Sequence, residues 1–277
     1  MATVEKAVIL ARGLGTRMRK ADEGAALDDA TAKIAATGVK AMIPTMGRPF
    51  LDFVLSKLAD AGYTKACLVI GPEHDNVREY YGRTLKTGRI AIDFAVQEKP
   101  LGTADAVRPA EAFSAGDPFL LINSDNFYPD AALAALRLSP APGIAVFERD
   151  AMLSGSNIAA DRISKFSVVR IHGSGPLRGT MKQIIEKPDD ATLAGMGEAV
   201  FVSMNCWCFT PNIFKAAAAI PQSPRGEYEI TDAAQYCIDR LGEQFKVHTI
   251  SAPVLDLSSR GDIAAVTEKL RDVTVRL

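Results

Sequence analysis

The sequence predicts an α/β protein with a mixed, mostly parallel central sheet and helices on both faces. Three observations carry this. Short apolar runs alternate with helix-period segments through the first half of the chain. The run at 7–10 (Ala-Val-Ile-Leu) is apolar without a break, as a strand covered on both faces requires. No internal repeat, low-complexity tail or linker interrupts the 277 residues, so one domain over 1–277 is expected.

The elements follow in order. After 7–10, strands are expected at 66–70, 90–96 and 119–122. Between the first two, Phe50, Leu51, Val54, Leu55 and Leu58 recur at helical spacing, and Gly62 stands where a left-handed cap ends a helix. The second half is richer in strands, at 143–147, 166–171, 181–185 and 200–209. In the last of these Cys206 and Cys208 flank Trp207, so both thiols should point to one face. Ile230, Ala233, Ala234, Cys237, Ile238 and Leu241 share a helix face that Gly242 ends, and a strand at 245–250 follows. Residues 20–39, rich in Ala, Asp and Thr, read either as a mobile loop or as a short helix.

Composition bounds the function. Lys plus Arg number 32 against 33 Asp plus Glu, a formal net charge of -1 that argues against a chain-wide footprint for nucleic acid. The four cysteines, Cys67, Cys206, Cys208 and Cys237, form neither a paired metal-ligand pattern nor a disulfide framework, and read as buried thiols. No apolar run approaches the roughly 20 residues of a membrane helix. The start of the chain lacks a basic-then-apolar signal segment. A cytoplasmic protein with neither nucleic acid nor membrane as partner is expected.

The strand at 7–10 runs into Ala11-Arg12-Gly13-Leu14-Gly15-Thr16-Arg17. A glycine-rich turn after a first buried strand lets backbone N–H groups approach phosphates. The spacing is neither a P-loop nor a dinucleotide fingerprint, since Met18 stands where the latter needs its third glycine. A plain strand-to-helix turn is the alternative. Arg17 favours phosphate, because a guanidinium beside exposed amides clamps it well.

Further blocks follow the loop: Val39-Lys40-Ala41-Met42-Ile43-Pro44, Gln97-Glu98-Lys99-Pro100-Leu101-Gly102-Thr103-Ala104, Leu121-Ile122-Asn123-Ser124-Asp125-Asn126, Ile185-Glu186-Lys187-Pro188, Glu229-Ile230-Thr231-Asp232 and Val254-Leu255-Asp256. Together and in this order they resemble the signature of the sugar-1-phosphate nucleotidylyltransferases, from near residue 7 to near residue 262. Departures are Arg12 and Ser124 at positions where the family usually has glycine, Val39 for proline, and Leu257-Ser258 after Asp256. No hexapeptide repeat follows residue 250, so the family's β-helix extension is not expected.

The resemblance implies a Rossmann-like (GT-A-like) nucleotidyltransferase fold with a small β-rich sugar-binding part. Residues of about 1–140 would bind nucleotide and those of about 141–277 sugar phosphate. It implies transfer of a nucleotidyl group from an NTP to a sugar 1-phosphate, with Mg²⁺ as cofactor and a homo-oligomer as a frequent assembly. By the same resemblance Ala11, Gly13, Leu14, Gly15 and Thr16 cradle the triphosphate, Arg17 and Lys40 are the catalytic cations on it, and Gln97, Gly102 and Thr103 meet the base. Thr103 would also serve as the cap of a following helix. Asp125 and Asp256 hold the metal. Asn126, Glu186, Lys187 and Asn205 bind the sugar phosphate, Lys187 as its catalytic cation. Residues 20–39, with Ala21, Gly24, Ala25 and Gly38 among them, would then close as a lid over the phosphates. Two other readings remain open: a cytidylyltransferase acting on phosphocholine or a similar phosphorylated alcohol, and a non-catalytic nucleotide-sugar-binding paralogue.

Overall fold

The computed structural model describes residues 3–20, 22, 24–25, 27–139, 142–196 and 200–277; Ala21 lies outside them. The first half builds four parallel strands: β1 (Lys6–Leu10), β2 (Lys65–Ile70), β3 (Ala91–Val96) and β4 (Phe119–Asn123). They lie in the order β3-β2-β1-β4. Chain order therefore reverses between β1 and β4, and the crevice beyond the carboxyl ends at such a reversal is where open α/β sheets bind ligands. The register sets Leu10 beside Asn123, so the segments leaving these two strands start level with each other.

The second half completes one nine-stranded sheet. A two-residue strand, β5 (Asn126–Phe127), follows β4. Then come β6 (Gly143–Glu148), β7 (Val168–Ile171), β8 (Met181–Ile185), β9 (Phe201–Phe209) and β10 (Lys246–Ile250). The long strand β9 pairs antiparallel with β4, β6 and β7 and so joins the halves. Its pairing with β6 slips between Ser203 and Cys206, a bulge that re-aims Asn205. Beside the sheet, β11 (Leu255–Asp256) pairs with β5, setting Asp256 opposite Asn126.

Both faces of the sheet are covered. Ala7, Ile9, Leu68 and Ile122 lie in one core, and Val8, Leu10, Val69 and Leu121 in the other. Helix α1 (Thr16–Arg19) leads to α2 (Asp29–Thr37), which answers the loop-or-helix question for 29–37. Asp28 caps α2 by accepting from the Thr31 amide at 2.7 Å, and Gly38 ends it in the left-handed conformation. Helix α3 (Phe50–Asp60) buries Phe50, Leu51, Val54, Leu55 and Leu58, the stripe that its spacing predicts. The opposite face carries α4 (Thr103–Val107) and α5 (Ile230–Leu241), which Gly242 ends at φ 69.

Cys206 and Cys208 share one core while Trp207 and Phe209 face the other, as alternation along β9 requires. All four thiols are free and buried. Burial pushes those of Cys67, Cys208 and Cys237 up to about 12.

The expected cap at Thr103 is a correction. Gly102 occupies that position at φ 110, and Thr103 is already helical. Its Oγ1 instead accepts from the Ile230 amide at 2.9 Å, satisfying an orphan donor at the start of α5. Glycine is required at 102 because a Cβ there would meet the backbone nitrogen of Tyr228 at 2.7 Å.

Candidate active site

The loop after β1 and the turn after β4 frame a cleft of about 440 Å³. Ala11, Gly13, Leu14, Gly15, Thr16, Arg17, Lys40, Gln97, Gly102, Thr103 and Asp125 all line it. The Gly13, Leu14 and Gly15 amides donate to no protein acceptor among the described residues. Gly13 has open space where a side chain would sit. Such a run of free N–H groups is an anion cradle.

A second cleft of about 400 Å³ lies beside the first. It is lined by Asn126, Glu186, Lys187, Asn205 and Asp256 of the expected set. Arg17, Asn123 and Asp125 line both clefts and so form a shared wall. Glu227 reaches the first cleft from the second half of the chain.

The shared wall is strongly charged. Lys40 Nζ lies 2.6 Å from Asp125 Oδ2. Asp125 is also held through its backbone, whose carbonyl accepts from the Leu257 amide at 2.8 Å. Asp256 is buried and accepts from Asn126 Nδ2 at 2.9 Å, from Ser258 Oγ at 2.6 Å and from Arg162. Arg162 also reaches Asp262 at 2.8 Å. Burial and then the charge of Asp125 raise the Asp256 carboxyl above the usual carboxylate range, while Ser258, Lys40 and Arg162 pull it back.

Two second-cleft residues hold left-handed backbones without being glycine: Lys187 at φ 44 and Asn205 at φ 54. That conformation costs about 1–3 kcal/mol at each and persists where surrounding structure imposes it, often at functional sites. The Lys187 side chain is exposed and has no protein partner among the described residues. Glu186 accepts from Ser167 Oγ and, at 3.5 Å, from Arg225 Nη2. Arg225 pairs more closely with Glu229, at 2.5 Å, and lines neither cleft.

Arg12 departs from the usual glycine for a structural reason. Its side chain is buried, donating from Nε to the Gln97 carbonyl at 2.7 Å and from Nη2 to that of Glu98 at 3.3 Å. It ties the glycine loop to the expected base-contacting segment. Ser258, another departure, supplies the hydroxyl on Asp256. Arg162 and Ser167, which line the second cleft, are the site residues that sequence reasoning missed, and neither has a local motif.

Comparison with known proteins accords with this geometry. The model of the nucleotidyl transferase family matches residues 6–252. A glucose-1-phosphate thymidylyltransferase of Streptomyces griseus is 28% identical over 269 residues, covering 97% of this chain and 67% of the relative. One from Streptomyces antibioticus is 29% identical over 237 residues, and the chain spans only 57% of its length. The UTP–glucose-1-phosphate uridylyltransferase AglF of Haloferax volcanii is 26% identical, with 98% of each chain covered. Among solved structures, a UDP-glucose pyrophosphorylase complexed with UDP-glucose has a TM-score of 0.73 at 18% identity. The match covers 98% of this chain and 100% of that one, and shows the shared fold. The chain belongs to the nucleotidyl transferase family.

Proposed function

We propose that the protein transfers a nucleotidyl group from an NTP to a sugar 1-phosphate, yielding an NDP-sugar and pyrophosphate. The observation that carries this reading is the shared wall. Two clefts of ligand size meet at Arg17, Asn123 and Asp125, one bounded by loop amides and the other by a lysine, all without a protein partner among the described residues. The relatives named for glucose-1-phosphate thymidylyl and uridylyl transfer support it.

The chemistry follows from the charges. A sugar phosphate oxygen attacks the α-phosphorus in line, and pyrophosphate leaves. The nucleophile is already an anion, so no strong base is needed, and catalysis rests on positioning and charge neutralisation. The 11–16 loop binds the triphosphate, and Arg17 holds the leaving pyrophosphate. Lys40 stands between the phosphates and Asp125. Gln97 and Gly102 meet the base. Lys187 binds the sugar phosphate, Glu186 accepts from sugar hydroxyls, and Asn126 and Asn205 bound the sugar.

The donor set fits Mg²⁺. Asp125 Oδ1 has no protein partner among the described residues, and Asp256 lies close enough for Asp125 to raise its carboxyl. Few carboxylates completed by substrate phosphates and water are the usual arrangement for this ion. Bound there by Asp125 and Asp256, it would supply neutralisation of triphosphate charge. No helix among the described residues is long and apolar enough to cross a membrane, and the cytoplasm, where NTPs are abundant, is the proposed compartment.

Pyrophosphate release from a matrix of NTPs and sugar 1-phosphates tests the reading. Release only when both substrates and Mg²⁺ are present is expected. Release that needs no sugar phosphate, or none with any pair, overturns it.

A further inference from the structure

We propose that Arg162 is a transferable cation: it neutralises Asp256 until that carboxylate ligates a metal, and its freed edge then binds the phosphate of the second substrate. The proposal rests on the reading of the second cleft as a sugar-phosphate site and adds a residue to it.

The charges are laid out in pairs. Lys40 Nζ sits on Asp125 Oδ2 at 2.6 Å, and Arg162 Nη2 donates to Asp256 Oδ2. Each expected metal ligand thus carries a protein cation. The two cations face different ways: Lys40 lines the first cleft and Arg162 the second. A divalent ion on the buried Asp256 would lie against the Arg162 charge, and burial strengthens that repulsion. The guanidinium must therefore leave Oδ2 when the metal arrives.

Asp256 does not need Arg162 to stay in place. Asn126 Nδ2 donates to its Oδ1 at 2.9 Å, and Ser258 Oγ to its Oδ2 at 2.6 Å. Asn157 grips its backbone on both sides. The Asp256 amide donates to Asn157 Oδ1 at 2.9 Å, and Asn157 Nδ2 donates to the Asp256 carbonyl at 2.8 Å. With these neutral groups fixing the carboxylate, Arg162 contributes charge rather than orientation.

Arg162 can let go without leaving the cleft. Its Nη1 donates separately to Asp262 Oδ1 at 2.8 Å. The Ser258 and Ser259 amides pin Asp262 in turn, donating to its Oδ2 at 3.1 and 2.7 Å. This second anchor is a pivot. The edge that swings, Nε with Nη2, is half used, because the buried Nε has no acceptor among the described residues. A phosphate offers two oxygens to such an edge, and a bidentate pair is stronger than the single bond given up. Lys187, exposed in the same cleft, would meet the phosphate from another side.

The test reads two ligands separately on the full chain. Mn²⁺ binding without nucleotide is followed by electron paramagnetic resonance, and glucose 1-phosphate binding by calorimetry, with Mg²⁺ or with EDTA. Arg162→Met keeps an unbranched stem and removes the charge. It should bind Mn²⁺ about tenfold more tightly, and glucose 1-phosphate with Mg²⁺ about tenfold more weakly, than the wild type. The wild type should bind glucose 1-phosphate severalfold more tightly with Mg²⁺ than with EDTA, and the variant should lose that difference. A merely structural role would weaken both ligands, so the opposed signs are the signature. Arg162→Lys, whose single ammonium cannot span Asp256 and Asp262, should shift both affinities in the same directions by less, and serves if the methionine variant fails to fold. Either affinity unchanged in both variants, both falling together, or a wild-type glucose 1-phosphate affinity indifferent to Mg²⁺ overturns the proposal. Pyrophosphate release is measured separately. Turnover without the opposed shifts sinks this inference and leaves the reaction standing. Opposed shifts without turnover on any substrate pair sink the reaction and leave Arg162 in a metal-linked phosphate site.

Discussion

Gly15 and Gly38 touch backbone to backbone. A Cβ on Gly15 would overlap the Gly38 carbonyl and lie 2.6 Å from its Cα, and Gly15 itself sits at φ 59. The 11–16 loop and the end of α2 therefore fit together only if residue 15 has no side chain. Gly15→Ala should cost about 2–4 kcal/mol from left-handed backbone and overpacking. Gly13→Ala, with open space at its Cβ, should fold normally. Thermal unfolding of the two variants checks this; equal stability would mean the close approach is not needed.

The Lys40–Asp125 pair at 2.6 Å puts an acid and a base of the candidate site in direct contact. Asp125→Ala should lower turnover on the order of 100-fold or more at saturating Mg²⁺. Full activity with normal Mg²⁺ dependence would remove Asp125 from the metal site.

Lys187 lines the second cleft alone, whereas Arg17 borders both. Lys187→Ala should raise KM for the sugar 1-phosphate about tenfold and leave KM for the NTP near its original value. Arg17→Ala should weaken NTP use and lower kcat as well. Steady-state kinetics with each substrate varied in turn separates the two, and the reverse pattern would exchange their roles.

His74 is buried, and its Nδ1 accepts from the Gly71 amide at 3.3 Å, which needs the neutral ring. Burial foremost, helped by Arg12, Arg78 and Arg19 and opposed by Glu73, lowers its pKa below the ordinary 6.5. The unfolded chain then binds a proton that the folded one refuses, so stability falls as pH drops from about 6.5 through the lowered folded value. His74→Gln should flatten the fall of the unfolding midpoint between pH 7 and pH 5.5. An unchanged slope would assign the pH dependence elsewhere.

Residues 20–39 should gain protection when nucleotide binds. Helix α2 contributes only Thr31 and Ala35 to the interior, a small anchor for nine residues. Hydrogen exchange with and without an accepted NTP reads this directly, and equal protection in both states would make the segment a fixed insertion.

The elements were legible where one residue pattern decides one structure. The unbroken apolar run at 7–10 has the pattern of a doubly covered strand, and Gly242 stands where a left-handed cap ends its helix. The expected cleft residues were legible because their blocks are contiguous. Arg162 was not, since it meets Asp256 from 94 positions away, on a short helix (Ala160–Ile163) that carries no pattern of its own. Thr103 was misread because its hydroxyl had two helix starts to choose from. The nearer one was closed by the left-handed Gly102, and the chosen one lies 127 positions on. The bulge before Cys206 leaves the composition of β9 ordinary, so the backbone of Asn205 is visible only in three dimensions.

Strand β9 has a consequence for the order in which the chain can assemble. It is the antiparallel neighbour of β4, β6 and β7 at once. As synthesis passes β4, the β3-β2-β1-β4 layer can pair within itself, yet the outer edge of β4 stays open until residues 201–209 emerge. That edge carries Phe119, Leu120 and Leu121, all fully buried in the finished protein. An uncovered apolar edge is a template for pairing with other chains. A ribosome-bound fragment ending before residue 201 should therefore be sticky, and one extending past residue 209 should not.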